Sequence, residues 1–158
     1  MENLRTSEKS YSDLTLYKAT KLEGVSGDTG ELVLEIDLNE TPEFEIYLRA
    51  SADKTQKSVL SYNKALELFK FNRDKAGAGG DGERECPVPQ SDKMKLHIFL
   101  DRSLVEIFIN DGEKVMTSRI YPNADSTDIV FVPKDGALKI NYLKFYELGV
   151  GIPQPVVD

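Results

Sequence analysis

Apolar and polar residues alternate along most of this chain, with a period of two rather than 3.6. Leu32, Leu34, Ile36 and Leu38 are separated by Val33, Glu35 and Asp37, and Phe44, Ile46, Leu48 and Ala50 by Glu45, Tyr47 and Arg49. The same rhythm sets Leu96, Ile98 and Leu100 against His97, Phe99 and Asp101. It sets Val105, Ile107 and Ile109 against Glu106, Phe108 and Asn110. Further candidate strands are 57–62, 65–71, 115–121, 128–133 and 137–146. About nine short strands with turn residues between them predict an all-β fold, a two-sheet antiparallel β-sandwich. No segment reads as a long helix; Leu14 to Lys21 fits a turn or two of helix and fits a strand equally well.

The stretch 93–121 can be given a register. With Arg102-Ser103 as a hairpin loop, Leu100 faces Val105, Ile98 faces Ile107 and Leu96 faces Ile109, all on one face. Phe99 then meets Glu106 and His97 meets Phe108 on the other. Asp111-Gly112 is a type I′ hairpin signal, because glycine adopts positive φ without steric cost. That turn sets Ile107 opposite Met116 and Phe108 opposite Val115. The outer face of this meander therefore carries Phe99, Phe108 and Val115, and a solvated face bearing two Phe calls for a cover. The candidates are the segment Tyr11 to Leu22, the stretch 74–92, a further domain, or a second copy of the chain.

Asp74 to Asp92 breaks the strand rhythm. It holds Ala76-Gly77-Ala78-Gly79-Gly80-Asp81-Gly82, then Pro87 and Pro89, and reads as one long surface loop. No Gly-Lys-Ser/Thr follows, so it is not a phosphate-binding P-loop. Residues 149–158, with Pro153 and Pro155, read as an extended tail to a single domain over 1–148.

Composition narrows the chemistry. Among 158 residues, 20 Lys+Arg stand against 27 Asp+Glu, a net charge of −7. This acidic balance argues against nucleic acid as a partner, which needs a basic face. No run of 18 apolar residues offers a membrane span, and no apolar core of a secretory signal follows Met1-Glu2-Asn3-Leu4-Arg5. One Cys and one His, Cys86 and His97, exclude a disulfide framework within the chain and leave too few soft ligands for a zinc site. No cofactor or metal motif is present, and the EF-hand pattern is absent.

Nucleophilic catalysis finds no support either. His97 lies mid-strand with no Ser or Cys motif near it, and Cys86 sits among acids that would raise its pKa. Glycoside hydrolysis needs two carboxylates about 5 to 9 Å apart in a pocket, and no pair is singled out. Glu106 reads as solvated on an outer face, and Asp101 as a turn residue whose carboxylate accepts backbone N–H groups.

One run is distinctive. Phe99 to Glu113 reads Phe-Leu-Asp-Arg-Ser-Leu-Val-Glu-Ile-Phe-Ile-Asn-Asp-Gly-Glu, and Thr117-Ser118-Arg119-Ile120-Tyr121-Pro122 follows. This resembles the C-terminal, concanavalin A-like (lectin/glucanase-like) β-sandwich domain of glycoside hydrolase family 32. That family contains invertases, levanases, inulinases and sucrose-6-phosphate hydrolases. The matching positions are Asp101, Arg102, Ser103, Val105, Glu106, Phe108, Asn110, Gly112, Ser118, Arg119, Tyr121 and Pro122, to which the resemblance gives structural roles. Ser61-Tyr62-Asn63 and Phe71 to Gly77 agree more loosely, with Asn72 and Ala76 in place of the family's Asp and Ser. Leu143 to Leu148 resembles the closing strand.

The resemblance implies that the catalytic carboxylates belong to a five-bladed N-terminal propeller that this chain lacks. With no Trp, the family's Trp-Met-Asn-Asp-Pro-Asn-Gly nucleophile motif is absent. Arg84-Glu85-Cys86-Pro87 contains a Glu-Cys-Pro, and Arg73-Asp74 an Arg-Asp without its Pro. Both stand in the sandwich, after where the family keeps such motifs, and read as coincidences. Residues 1–10 resemble the linker entering from the propeller. The expected function is a non-catalytic accessory module of a retaining β-fructofuranosidase acting on sucrose or fructan, packing on and stabilising the propeller. The resemblance also allows a homodimer and carbohydrate contacts. The alternatives are a free-standing lectin-like carbohydrate-binding module, for which Tyr47 is the candidate sugar platform, and a small glycosidase using Glu85.

Overall fold

The computed structural model describes residues 5–75 and 82–148. They form eleven strands: β1 (Arg5–Leu16), β2 (Thr29–Asp37), β3 (Glu43–Ala50), β4 (Lys57–Asn63), β5 (Leu68–Lys75), β6 (Glu83–Pro87), β7 (Lys93–Asp101), β8 (Leu104–Ile109), β9 (Lys114–Arg119), β10 (Asp128–Lys134) and β11 (Leu138–Leu148). They make a six-stranded sheet, ordered β1-β11-β2-β7-β8-β9, and a five-stranded sheet, ordered β10-β3-β4-β5-β6. Every pairing is antiparallel. No helix occurs among the described residues.

The core follows the period-two pattern. Leu32, Leu34, Ile36, Leu96, Ile98, Val105 and Ile107 of the larger sheet are buried against Phe44, Tyr62, Phe69, Phe71 and Phe131 of the smaller one. The larger sheet's layer is thus mainly aliphatic, while the smaller sheet sets most of the buried rings among Ile46, Leu48 and Leu60. Large and small shapes interdigitate across such an interface at crystal-like density. The Tyr62 hydroxyl donates to the Val88 carbonyl (2.7 Å), so the one polar tip among these rings is satisfied.

The meander has the expected register: Leu100 pairs with Val105, Ile98 with Ile107, Leu96 with Ile109, Ile107 with Met116 and Phe108 with Val115. Its second turn has φ of 60° at Asp111 and 93° at Gly112, with Glu113 N–H donating to the Asn110 carbonyl, which is the type I′ signature. Asn110 itself has φ 53°, a conformation Asn tolerates better than most residues. Its side-chain Oδ1 accepts from Lys95 N–H while its own N–H donates to the Lys95 carbonyl. Asn110 therefore ties the end of β8 to β7 twice.

Two expectations need correction. The stretch 74–92 is not one loop: Glu83–Pro87 is strand β6, paired with β5, while the glycine-rich residues 76–81 lie outside the described ones. Residues 5–10 are not a bare linker but the first half of β1, paired with β11. Leu14–Leu16 belongs to the same strand, and Thr20 beyond it bridges Phe131. Both strands escaped the alternation rule because they lie at sheet edges, where exposed polar side chains replace the apolar half of the pattern. Residues 1–4 and the expected tail 149–158 lie outside the described residues.

Candidate functional site

Four segments meet at one end of the sandwich. Arg49, near the end of β3, has φ 50° and sits where the β3–β10 register shifts by a bulge. Simple alternation would turn it outward with Glu45 and Tyr47. The bulge turns it inward instead, and it is 3% exposed. Its Nη1 donates to the Arg102 carbonyl (2.5 Å), Nε to the Ser126 carbonyl (2.6 Å) and Nη2 to the Asn123 carbonyl (3.1 Å). Burial pulls its pKa below the usual guanidinium value, and the nearby Asp28 carboxylate opposes that shift.

Gln56 binds the same loop from the other side. Its Oε1 accepts from Asn123 N–H and from the Ser126 hydroxyl, both at 2.7 Å. Arg102, at φ 52° in the β7–β8 turn, donates its N–H to the Asp28 carbonyl and lies with its guanidinium 3.6 Å from the Asp28 carboxylate. Ile120 N–H donates to the Ser103 carbonyl. Together Asp28, Arg49, Arg102, Ser103, Ile120, Tyr121, Pro122 and Ala124 line an open concavity of about 400 Å³.

The remaining expected positions are distributed along the meander. Val105 and Ser118 face the core, Gly112 and Asn110 shape the far turn, and Glu106 and Phe108 face outward half-buried. Arg119 lends its carbonyl to Nη1 of Arg73 (2.7 Å) across the sheets. Asp101 is exposed at the strand end. So Arg102, Ser103, Tyr121 and Pro122 line one concavity, and the others are spread along the strands and turns of the meander. Arg49 and Gln56 were missed, because neither a bulge nor a loop-to-loop amide contact leaves a mark in hydrophobic periodicity.

The outer face of the six-stranded sheet is a second feature. His97 stacks on Phe99 at 4.4 Å, and Phe99 meets Phe108 edge-to-face at 5.9 Å. His97 Nε2 lies 2.5 Å from Oε2 of Glu31, a carboxylate only 1% exposed. A neighbouring groove of about 350 Å³ runs between Phe108 and Tyr142. Both Phe rings are half-buried, and Val115 is 52% exposed. Neither expected internal cover lies over them among the described residues. β1 is an edge of this same sheet, Thr20 turns to the opposite sheet, and β6 belongs to that opposite sheet.

Glu85, Cys86 and Tyr47 all belong to the smaller sheet. Glu85 is exposed on edge strand β6, 3.9 Å from Lys70, which also pairs with Glu83 at 3.5 Å. Cys86 has its pKa raised, but by burial rather than by its acidic neighbours, with Lys114 opposing. Tyr47 carries the Lys57 ammonium 4.8 Å from its ring centre, so that face is occupied by a cation–π contact. Burial, followed by Glu45, raises its phenol pKa. Among the described residues no cluster of His, Cys, Asp and Glu is arranged to hold a metal.

Comparison with known families decides the lineage. Residues 1–147 match the family described as glycosyl hydrolases family 32 C terminal. The chain belongs to that family. It is 35% identical over 131 residues to a sucrose-6-phosphate hydrolase of Zymomonas mobilis, covering 80% of this chain and 26% of that protein. It is 29% identical over 157 residues to a levanase of Bacillus subtilis, covering 94% and 23%. In three dimensions this family 32 domain superimposes on a sucrose-6-phosphate hydrolase from Lactobacillus gasseri with a TM-score of 0.76 at 25% identity, covering 94% of this chain and 29% of that one. The domain thus spans about a quarter of the length of the curated relatives it matches.

Proposed function

We propose that this family 32 C-terminal domain is a non-catalytic module that packs on, and stabilises, an N-terminal catalytic propeller acting on sucrose or fructan. The observation that carries this reading is the family match over 1–147, together with relatives about three to four times as long, named as sucrose-6-phosphate hydrolases and a levanase. The exposed, lysine-paired state of Glu83 and Glu85 supports it, since a general acid works from a pocket that shields its carboxyl from water. The test is a sugar-release assay of the purified chain on sucrose, levan and inulin. No product is expected. Activity that survives purification and disappears in Glu85→Gln overturns the reading.

The aromatic outer face favours a second reading, a lectin-like module that binds fructan itself. Flat rings flanked by polar groups are a common lining for a ligand groove. Affinity electrophoresis through levan and inulin tests it, with retardation lost in Phe108→Ala as the supporting result. A second copy covering the same face would appear instead as a concentration-dependent dimer in sedimentation, abolished by Phe108→Asp.

A further inference from the structure

Resting on the reading of this domain as a carbohydrate-binding module, we infer that its ligand is an extended fructan chain lying in one trench along the outer face of β2. Three adjoining depressions make the trench. The first, about 430 Å³, lies between Val33 on β2 and Tyr142, Lys144 and Tyr146 on β11. The second, about 350 Å³, shares Val33 and Tyr142 with it and is bounded on the other side by His97 and Phe108. The third, about 620 Å³, shares Lys95 and Asp111 with the second and continues past Lys93 to Ser91. Strand order explains the shape. β2 lies between β11 and β7, with Val33 opposite Lys144 on one side and His97 on the other. A short valine between two longer side chains leaves a floor between two walls. Buried Glu31 meets Nε2 of His97 and fixes the imidazole of one wall.

The charges of the lining select a neutral ligand. His97 apart, Lys93, Lys95 and Lys144 stand against Asp92, Asp111 and Glu113. Lys95 lies 3.6 Å from Asp111, and Lys93 3.9 Å from Glu35 on β2. So balanced a lining exerts no net attraction on a phosphate or a cation. It suits groups that both donate and accept, as every sugar hydroxyl does. The Tyr and Phe rings add apolar surface for the C–H faces of the sugar. Those rings are not coplanar: Phe99 and Phe108 stand at 84°, and His97 and Phe108 at 56°. A flat ribbon of six-membered sugar rings finds no platform here, whereas alternating faces and edges suit the bent path of linked five-membered fructofuranose rings. Length favours a chain over a single sugar. From Glu31, beside Tyr146, to Asp37, beside Lys93, β2 runs for about 20 Å.

The test is affinity electrophoresis of the full chain through gels holding levan, inulin or dextran, the last a glucan of six-membered rings. Levan or inulin should retard the chain and dextran should not. Tyr142→Ala removes one wall and should weaken binding about tenfold, the loss of one aromatic contact. Val33→Arg fills the floor from an outward-facing position and should abolish retardation. Melting midpoints check both variants, and if Val33→Arg disturbs the fold, Tyr142→Ala decides. Val115→Ser, outside the trench on edge strand β9, should bind as the parent does. Free fructose should compete far more weakly than the polymer, and equal competition overturns the extended ligand. Equal retardation in dextran overturns the choice of fructan. If retardation survives both trench variants and is lost in Phe99→Ala, the sugar lies on the Phe99 side of the face. The inference then fails while the carbohydrate-binding reading stands. No retardation in any gel overturns both.

Discussion

The guanidinium of Arg49 on β3 donates to the backbone carbonyl of Arg102 in the β7–β8 turn. A strand of one sheet thereby holds a turn of the other. Apart from this bond and that of Arg73 to the Arg119 carbonyl, the two sheets meet mainly through apolar side chains, which resist separation but do little to fix direction. A charged donor aimed at three carbonyls adds that direction.

Arg49→Leu should cost about 3–5 kcal/mol in denaturant unfolding. Hydrogen bonds from a charged donor are the stronger kind, and their loss strands three carbonyls in a buried setting. Arg49→Lys should recover only part of this, since an ammonium cannot reproduce the planar fork. A full recovery in the lysine variant would show that charge alone matters at this position.

Gly112→Val should cost about 1 kcal/mol or more. A Cβ at Gly112 meets nothing within 4 Å, so the penalty comes from φ of 93° and not from crowding. Gly112→Asn should be milder, because Asn tolerates left-handed backbone. Equal losses in the two variants would remove backbone strain as the cause.

Ile107 pairs with Ile98 on one side and Met116 on the other, and all three are buried. Ile107→Ala removes buried methyl groups and leaves a cavity in the core between β7 and β9. The expected loss is about 2–5 kcal/mol. Chemical denaturation measures it, and a loss under about half a kcal/mol would mean that the neighbours collapse into the space.

The Asp53 carboxylate accepts from Thr55 N–H, the Ser51 hydroxyl and the Thr55 hydroxyl, and these bonds hold its pKa down to about 2. A depressed carboxylate stabilises the fold above its ordinary pKa of 3.8, and that contribution is lost as pH falls toward 2. A side-chain carboxyl NMR titration should give a midpoint well below 3.8 for Asp53, returning toward 3.8 in the double variant Ser51→Ala/Thr55→Val. The 51–56 loop ends at Gln56, so acid should loosen the Asn123–Ser126 contacts as well.

Most of the larger sheet was legible in the sequence, because its central strands are buried on one face and a one-residue slip would expose every Leu and Ile. The two overlooked strands, β1 and β6, carry little of that signal, since each has only one neighbour and much of its surface in water. The candidate site was half legible. Arg102, Ser103, Tyr121 and Pro122 stand out through the family resemblance, but nothing in the sequence joins them to Arg49, 53 residues from Arg102. The bulge that turns Arg49 inward arises from pairing with β10, which follows it by some eighty positions in the chain.

Strand β11 lies between β1 and β2 in the larger sheet. On a ribosome, β1 emerges before the other described strands and then waits for nearly the whole domain to be made before its neighbour β11 exists. Until then β2 also shows a bare edge where β11 belongs. Such long-range closure is slow, and unpaired edges invite pairing with other chains. A ribosome stalled before Leu138 should therefore carry a protease-sensitive, aggregation-prone chain, although ten of the eleven strands would already have been translated.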